Sequence, residues 1–144
     1  MSDAIQFIRP AALTPAVDYA YAAVVGPGNT VFTAGACPLD ADGATVAVGD
    51  VAGQARAVMS NLVVALEAAG AGLTDVVRTT VYVASAQQRD LVAAWDVVRA
   101  WFGDHDAPST LIGVTVLGYS DQLVEVEATA VVAAGPAPTP TVSR

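Results

Sequence analysis

Lysine is absent from this chain of 144 residues, and histidine and cysteine occur once each. Without lysine there is neither a Schiff-base amine nor a Walker-type phosphate lysine. His105 and the distant Cys37 do not make a metal-ligand set, so no metal is expected. A lone cysteine forms no disulfide within the chain, which agrees with a reducing compartment. With a single histidine and no Gly-x-Ser-x-Gly elbow, a hydrolase triad has no support. Positive charge is scarce as well: six arginines stand against 14 acidic residues, for a net charge of −8 and a pI near 4.2. Such a surface repels phosphate backbones, and neither a basic stripe nor an RNA-binding motif offsets it, so no nucleic-acid partner is expected. No apolar run approaches the ~18 residues of a membrane span. Met1 to Leu13 carries Asp3 and Arg9 and lacks the pattern of a secretory leader, so a cytoplasmic location is expected.

What is abundant is apolar: 54% of the residues are hydrophobic and only 14% charged. The length suits one domain with one core, and the surplus of apolar surface points to subunit contacts. Thr30 to Ala34 and Ala44 to Val48 are short β-type runs around the turn signal Pro38-Leu39-Asp40-Ala41-Asp42-Gly43, predicting a hairpin. Tyr19 to Val25 is a further strand candidate. Asp50 is placed to cap a helix from about Val51 to Ala69, where Ala55, Met59, Leu62, Leu66 and Ala69 recur on one face before Gly70. Val76 to Val83 reads as a strand. Ser85 then caps a second helix with the stripe Leu91, Trp95, Val98 and Phe102, ending at Gly103. Thr110 to Val116 and Leu123 to Val132 complete an α+β order of about six strands. Two helices cannot cover both faces of that sheet, so one face needs another partner. The domain spans residues 1 to 134, and the proline-rich tail Gly135 to Arg144 reads as disordered.

Glu125 and Glu127 lie two apart on a strand and share a face, opposite to Val124, Val126 and Ala128. They form either a solvated outer face or an acidic pair in a subunit cleft suited to acid–base work. His105, between Asp104 and Asp106, reads as a surface-loop residue, and Cys37 as a buried small hydrophobe.

Taken in order, Gly28-Asn29-Thr30-Val31-Phe32-Thr33-Ala34-Gly35, Gln54-Ala55-Arg56 with Asn61-Leu62, Leu66-Glu67-Ala68-Ala69-Gly70, Asp75 to Val83 and Val124-Glu125-Val126-Glu127-Ala128 resemble the RidA/YjgF (reactive intermediate deaminase) family, from about Pro10 to Val132. The resemblance implies a chorismate-mutase-like fold with both helices on one sheet face, and a homotrimer packed through the other. It also implies ligand clefts at the subunit interfaces, in which enamines and imines are hydrolysed to 2-oxo acids and ammonia without a metal or organic cofactor. Tyr21 matches the family's cleft tyrosine, Gly35 the glycine that approaches the ligand, and Glu125 the carboxylate that orients water. Ala34 replaces a serine, Thr110 the arginine that clamps the substrate carboxylate, Ile112 a cysteine, and Trp95 an asparagine. Threonine cannot supply the paired, charge-assisted bonds of a guanidinium. Arg9 and Arg78 are the candidates to compensate, but Arg78 stands where the family already tends to be basic, so rescue is not expected.

Two classes of function follow. One is an enzyme acting on an imine, enamine or carbonyl ligand without a carboxylate, using Glu125 as base with Tyr21 and Thr110 as hydrogen-bonding groups. The other is a non-catalytic trimer that binds a small apolar metabolite or regulates a partner, its cleft made more apolar by Ala34, Trp95 and Ile112. Deamination of 2-imino acids is the weaker third reading.

Overall fold

The computed structural model describes residues 4–134, so the expected tail lies outside the described residues. Six strands and two helices follow in the order β1 (Ile5–Ile8), β2 (Ala22–Val25), β3 (Asn29–Phe32), α1 (Val51–Ala68), β4 (Val76–Val83), α2 (Gln88–Phe102), β5 (Ser109–Gly113) and β6 (Val124–Val132). They form two sheets rather than one sheet of six. β1 and β2 make an antiparallel ribbon, while the main sheet runs β3-β6-β4-β5 with only the β4–β5 pair parallel. That parallel pair is connected through α2, the length of crossover such a pairing requires.

The helices form where the pattern places them. Asp50 has extended backbone, and its carboxylate accepts from the amide of Gly53 at 2.9 Å, satisfying one of the unpaired amides at the start of α1. Gly70, with φ of 82°, ends that helix in a conformation that a Cβ would strain. Val58, Met59, Leu62 and Leu66 are fully buried along α1, facing Val81, Val83, Val124 and Val126 of the sheet within one core cluster. Each such side chain contributes about 1.5–3 kcal/mol by leaving water. Both helices contact the main sheet and each other, so they cover one face. α2 starts later than expected: Gln87 is its N-cap residue, while Ser85 accepts from the Gln87 amide and bonds the carboxylate of Asp90 at 2.7 Å.

Three expectations are corrected. The hairpin is reduced to a single bridge between Leu39 and Thr45. Positive φ at Gly43, Ala47 and Gly49 breaks the Ala44 to Val48 run, and β3 pairs instead with the distant β6. Its place in the strand count is taken by β1, short and only half-buried, which carries no strong alternation to announce it. His105 is not a surface residue: it is 8% exposed, its Nε2 lies 2.7 Å from the carbonyl of Val76, and its ring packs against Phe7 and Phe102.

Candidate functional site

β6 separates two environments. Val124, Val126, Ala128 and Ala130 are buried against the helices, so Glu125, Glu127 and Thr129 stand on the uncovered face, as strand alternation requires. The register sets out rows across that face. Tyr82 of β4 lies opposite both Glu125 and Ile112, Thr80 opposite both Glu127 and Thr110, and Arg78 opposite Thr129.

The Glu125 carboxylate is fixed by two donors on one oxygen. Cys37 Sγ donates to Oε1 at 3.1 Å and Gln122 Nε2 at 3.2 Å, and no described residue donates to Oε2. Gln122 is itself held: it is 4% exposed, its second amide contact goes to the carbonyl of Val124, and its oxygen accepts from the Tyr119 amide. Gly35 leaves room for the carboxylate, since a Cβ there would stand 2.4 Å from Oε2. The 34–37 segment is positioned by backbone bonds between Ala36 and Val126 and by Asn61, whose amide donates to the carbonyls of Cys37 and Leu39. Burial, reinforced by the bond to Glu125 and its charge, pushes the Cys37 thiol up to about 11, so at neutral pH it remains a donor. On the next row Tyr82 Oη donates to Glu127 at 2.7 Å, and this bond is the main reason its phenol is raised.

The residues singled out in the sequence do not meet in one place. Glu125 and Gly35 meet, beside a cavity of about 550 Å3 lined by Ala34, Gly35, Cys37 and Tyr119. Tyr21 and Thr110 line a separate cavity of about 550 Å3, where the Tyr21 hydroxyl spends its proton on the carbonyl of Thr14 at 2.8 Å. Ile112, 42% exposed, faces outward on the Glu125 row. Trp95 is brought to none of them. It lies in the helix layer against the core, its Nε1 donating to the carboxylate of Asp18 at 3.2 Å and its ring edge-to-face with Tyr19. Sequence reasoning missed Cys37 and Gln122 as partners of Glu125. For Cys37, 88 positions away, no local signal exists. Among the described residues, no group of three or more His, Cys, Asp or Glu side chains is placed to hold a metal ion.

Residues 10–132 match the family model described as Endoribonuclease L-PSP. A 2-iminobutanoate/2-iminopropanoate deaminase of Salmonella typhimurium is 35% identical over 124 residues, covering 85% of this chain and 91% of that protein. The chain belongs to the RidA/YjgF family. A RutC family protein of Pyrococcus horikoshii is 34% identical over 110 residues, 76% of this chain and 85% of its own length. Among solved structures, the Rid family protein YyfB from Yersinia pestis superimposes with a TM-score of 0.83 at 32% identity, covering 90% of this chain and 99% of that one.

Within this RidA/YjgF chain the Cys37–Glu125 bond has a measurable signature. Because the thiol is raised to about 11, alkylation of Cys37 by iodoacetamide should be slow at pH 8, climb steadily with pH and level off only near that value. Replacing Glu125 by Gln removes the negative charge and leaves a weaker, neutral acceptor for the thiol proton. The profile should then move to lower pH and alkylation at pH 9 accelerate, with residual burial keeping the shift incomplete. Mass spectrometry of timed samples reads the rate, and superimposable profiles would show that the thiol does not bond the carboxylate.

Proposed function

We propose that the chain forms a homotrimer with clefts at its subunit interfaces, and that each cleft hydrolyses an imine, enamine or carbonyl compound bearing no carboxylate on the reacting carbon. The observation that carries this reading is Glu125: Oε1 is occupied by two fixed donors, and Oε2 is left to orient a water. That water would add to the C=N carbon while Glu125 takes its proton. Returning the proton to nitrogen gives a neutral carbinolamine; transfer of its hydroxyl proton to nitrogen through Glu125 then breaks the C–N bond, releasing ammonia or an amine and leaving the carbonyl product.

A cleft shared between subunits is supported by the scatter of these residues over a single chain. Tyr21 and Thr110 share one cavity, Gly35 and Cys37 line another, and Phe32, 78% exposed, stands with Ile112 on the uncovered sheet face. A partner face would bury those side chains. Nothing in the acidic chain favours RNA as the ligand. A non-catalytic trimer is the second reading, favoured by the apolar lining of Ala34, Ala36, Leu39 and Ala65 in the cavity beside Glu125.

The missing clamp supplies the test. Wild-type protein, which light scattering should find at three times the 14.5 kDa chain mass, is expected to release ammonia from iminopropionate near background. A hydrogen bond to a charged group contributes about 1.5–3 kcal/mol, so Ala34→Ser with Thr110→Arg should tighten pyruvate binding roughly 10- to 150-fold by calorimetry. Efficient wild-type deamination of imino acids, or a monomer at micromolar concentration, would overturn the proposal.

A further inference from the structure

Polar side chains sealed inside a protein must find partners, and two glutamines do so in series here. Gln54 of α1 is fully buried, its amide nitrogen donating to the carbonyl of Asp121 at 2.8 Å and its oxygen accepting from the amide of Leu123 at 2.7 Å. One side chain thus pins the backbone on both sides of Gln122, holding Asp121 at a left-handed φ of 62°. Gln122 is buried with Val124 and Val126, on the opposite side of the chain from Glu125. The direction of its amide is fixed by two backbone groups. The Tyr119 N–H only donates and meets the Gln122 oxygen at 3.1 Å, while the Val124 carbonyl only accepts and lies 3.2 Å from the nitrogen. Both require the NH2 group to face Glu125, whose Oε1 is 3.2 Å away. An amide has two N–H bonds, and Val124 and Glu125 use one each. The Cys37 thiol is less committed, because its one hydrogen has Oε1 at 3.1 Å and the Gly35 carbonyl at 3.4 Å within reach. Gln54 and Gln122 are already closed off from solvent, so a subunit packed on the sheet face does not compete for their bonds.

Oε1 therefore has to accept, whatever the state of the carboxyl group. A proton placed there would turn it into a hydroxyl, a poorer acceptor whose hydrogen crowds the Gln122 N–H. We infer that Gln122 is a positioning residue for Glu125 that confines every proton the carboxylate takes up to Oε2, the oxygen against Gly35. In the reaction proposed above, the proton from water and the hydroxyl proton of the carbinolamine are then both collected and returned at that one atom. This use of Oε2 rests on the proposed function, whereas the aim of the amide does not. The titratable groups facing Glu125 are Cys37 and, across the β6–β4 pairing, Tyr82, with Glu127 two residues along its own strand.

Gln122→Met keeps the length and removes the donor, and Gln122→Glu keeps the shape but replaces the donor with a charge. Alkylation of Cys37 reads both without a substrate. Burial and Glu125 push that thiol up, and the Gln122 amide pulls it down. Loss of the amide should therefore slow alkylation at pH 9 roughly 3- to 10-fold, and Gln122→Glu should slow it further. A glutamine that merely filled space would give the opposite result, since its loss would let water reach the thiol and speed the reaction. In turnover of an imine, Gln122→Met should move the onset of activity up by about one pH unit with KM little changed, and regain most of the wild-type kcat above that point. Equal loss at every pH would overturn the inference, as would alkylation that is unchanged or faster in both variants. If the wild type hydrolyses no imine while alkylation slows as stated, the catalytic reading falls and the hold of Gln122 on Oε1 stands. Should neither variant fold, NMR of the wild-type Gln122 side-chain amide decides. Its protons should shift in a single step as acid protonates Glu125 and stay protected from exchange, and Glu125→Gln should abolish the step. An amide that does not respond, or that loses its protection, would overturn the inference too.

Discussion

Glu125→Gln should lower turnover of any imine that the wild-type chain hydrolyses by roughly 10²- to 10⁴-fold, the range contributed by a positioned general base. The substitution is close to isosteric and preserves the local bonds. The new amide can turn its oxygen toward Cys37 and Gln122, the two donors that now hold Oε1. What disappears is the proton acceptor beside Gly35, so affinity for the carbonyl product should stay within about threefold while the rate collapses. Imines generated in place by an amine oxidase, with ammonia release as the readout, give the rate, and calorimetry with the matching carbonyl compound gives the affinity. The clamp-restored chain carrying Ala34→Ser and Thr110→Arg provides a second setting, in which any gained imino-acid hydrolysis should again depend on Glu125. Ligand binding by the wild type without turnover, unchanged by Glu125→Gln, would instead favour the non-catalytic trimer. Turnover that survives the substitution would move the base elsewhere, with Glu127 the first residue to examine.

Leu62→Ala should destabilise the fold by about 2–5 kcal/mol, as large-to-small substitutions in closed cores do. Leu62 is fully buried in the middle of α1, in the same cluster as Met59, Leu66, Val81 and Val126, so deleting its branch opens a cavity between helix and sheet. The better helix propensity of alanine offsets only a few tenths of a kcal/mol. Val64→Ala on the same helix is the control: Val64 is 63% exposed, and its loss should stay within about 0.5 kcal/mol. Urea unfolding at one fixed protein concentration separates the two, since the proposed assembly would make apparent stability concentration-dependent. A cost below 1 kcal/mol at Leu62 would mean that α1 is not pressed against the sheet as described.

Both outcomes turn on how much of the molecule is written in local spacing. α1, α2, β4 and β6 follow from periodicity, because a helix or a half-buried strand shows its buried face within a few residues of itself. The same logic placed Glu125 and Glu127 together on one face. It failed where tertiary contacts override local preference. The Ala44 to Val48 run has strand composition, yet left-handed backbone at Ala47 and Gly49 turns it into the entry to α1. His105 looks like a polar loop residue between two aspartates, but the Val76 carbonyl and the rings of Phe7 and Phe102 draw it inside.

The candidate site divides along the same line. Family membership, the α+β order and a threonine at position 110 are properties of the chain as written, since they depend only on which residue stands at which position. That Glu125 is held by Cys37 and Gln122, that Trp95 lies in the helix layer, and that Arg9 is paired with Asp106 were decided by the tertiary structure. Each depends on which strands pair and in what register. Pairing brings together residues tens of positions apart, and a shift of one residue would turn every side chain to the other face.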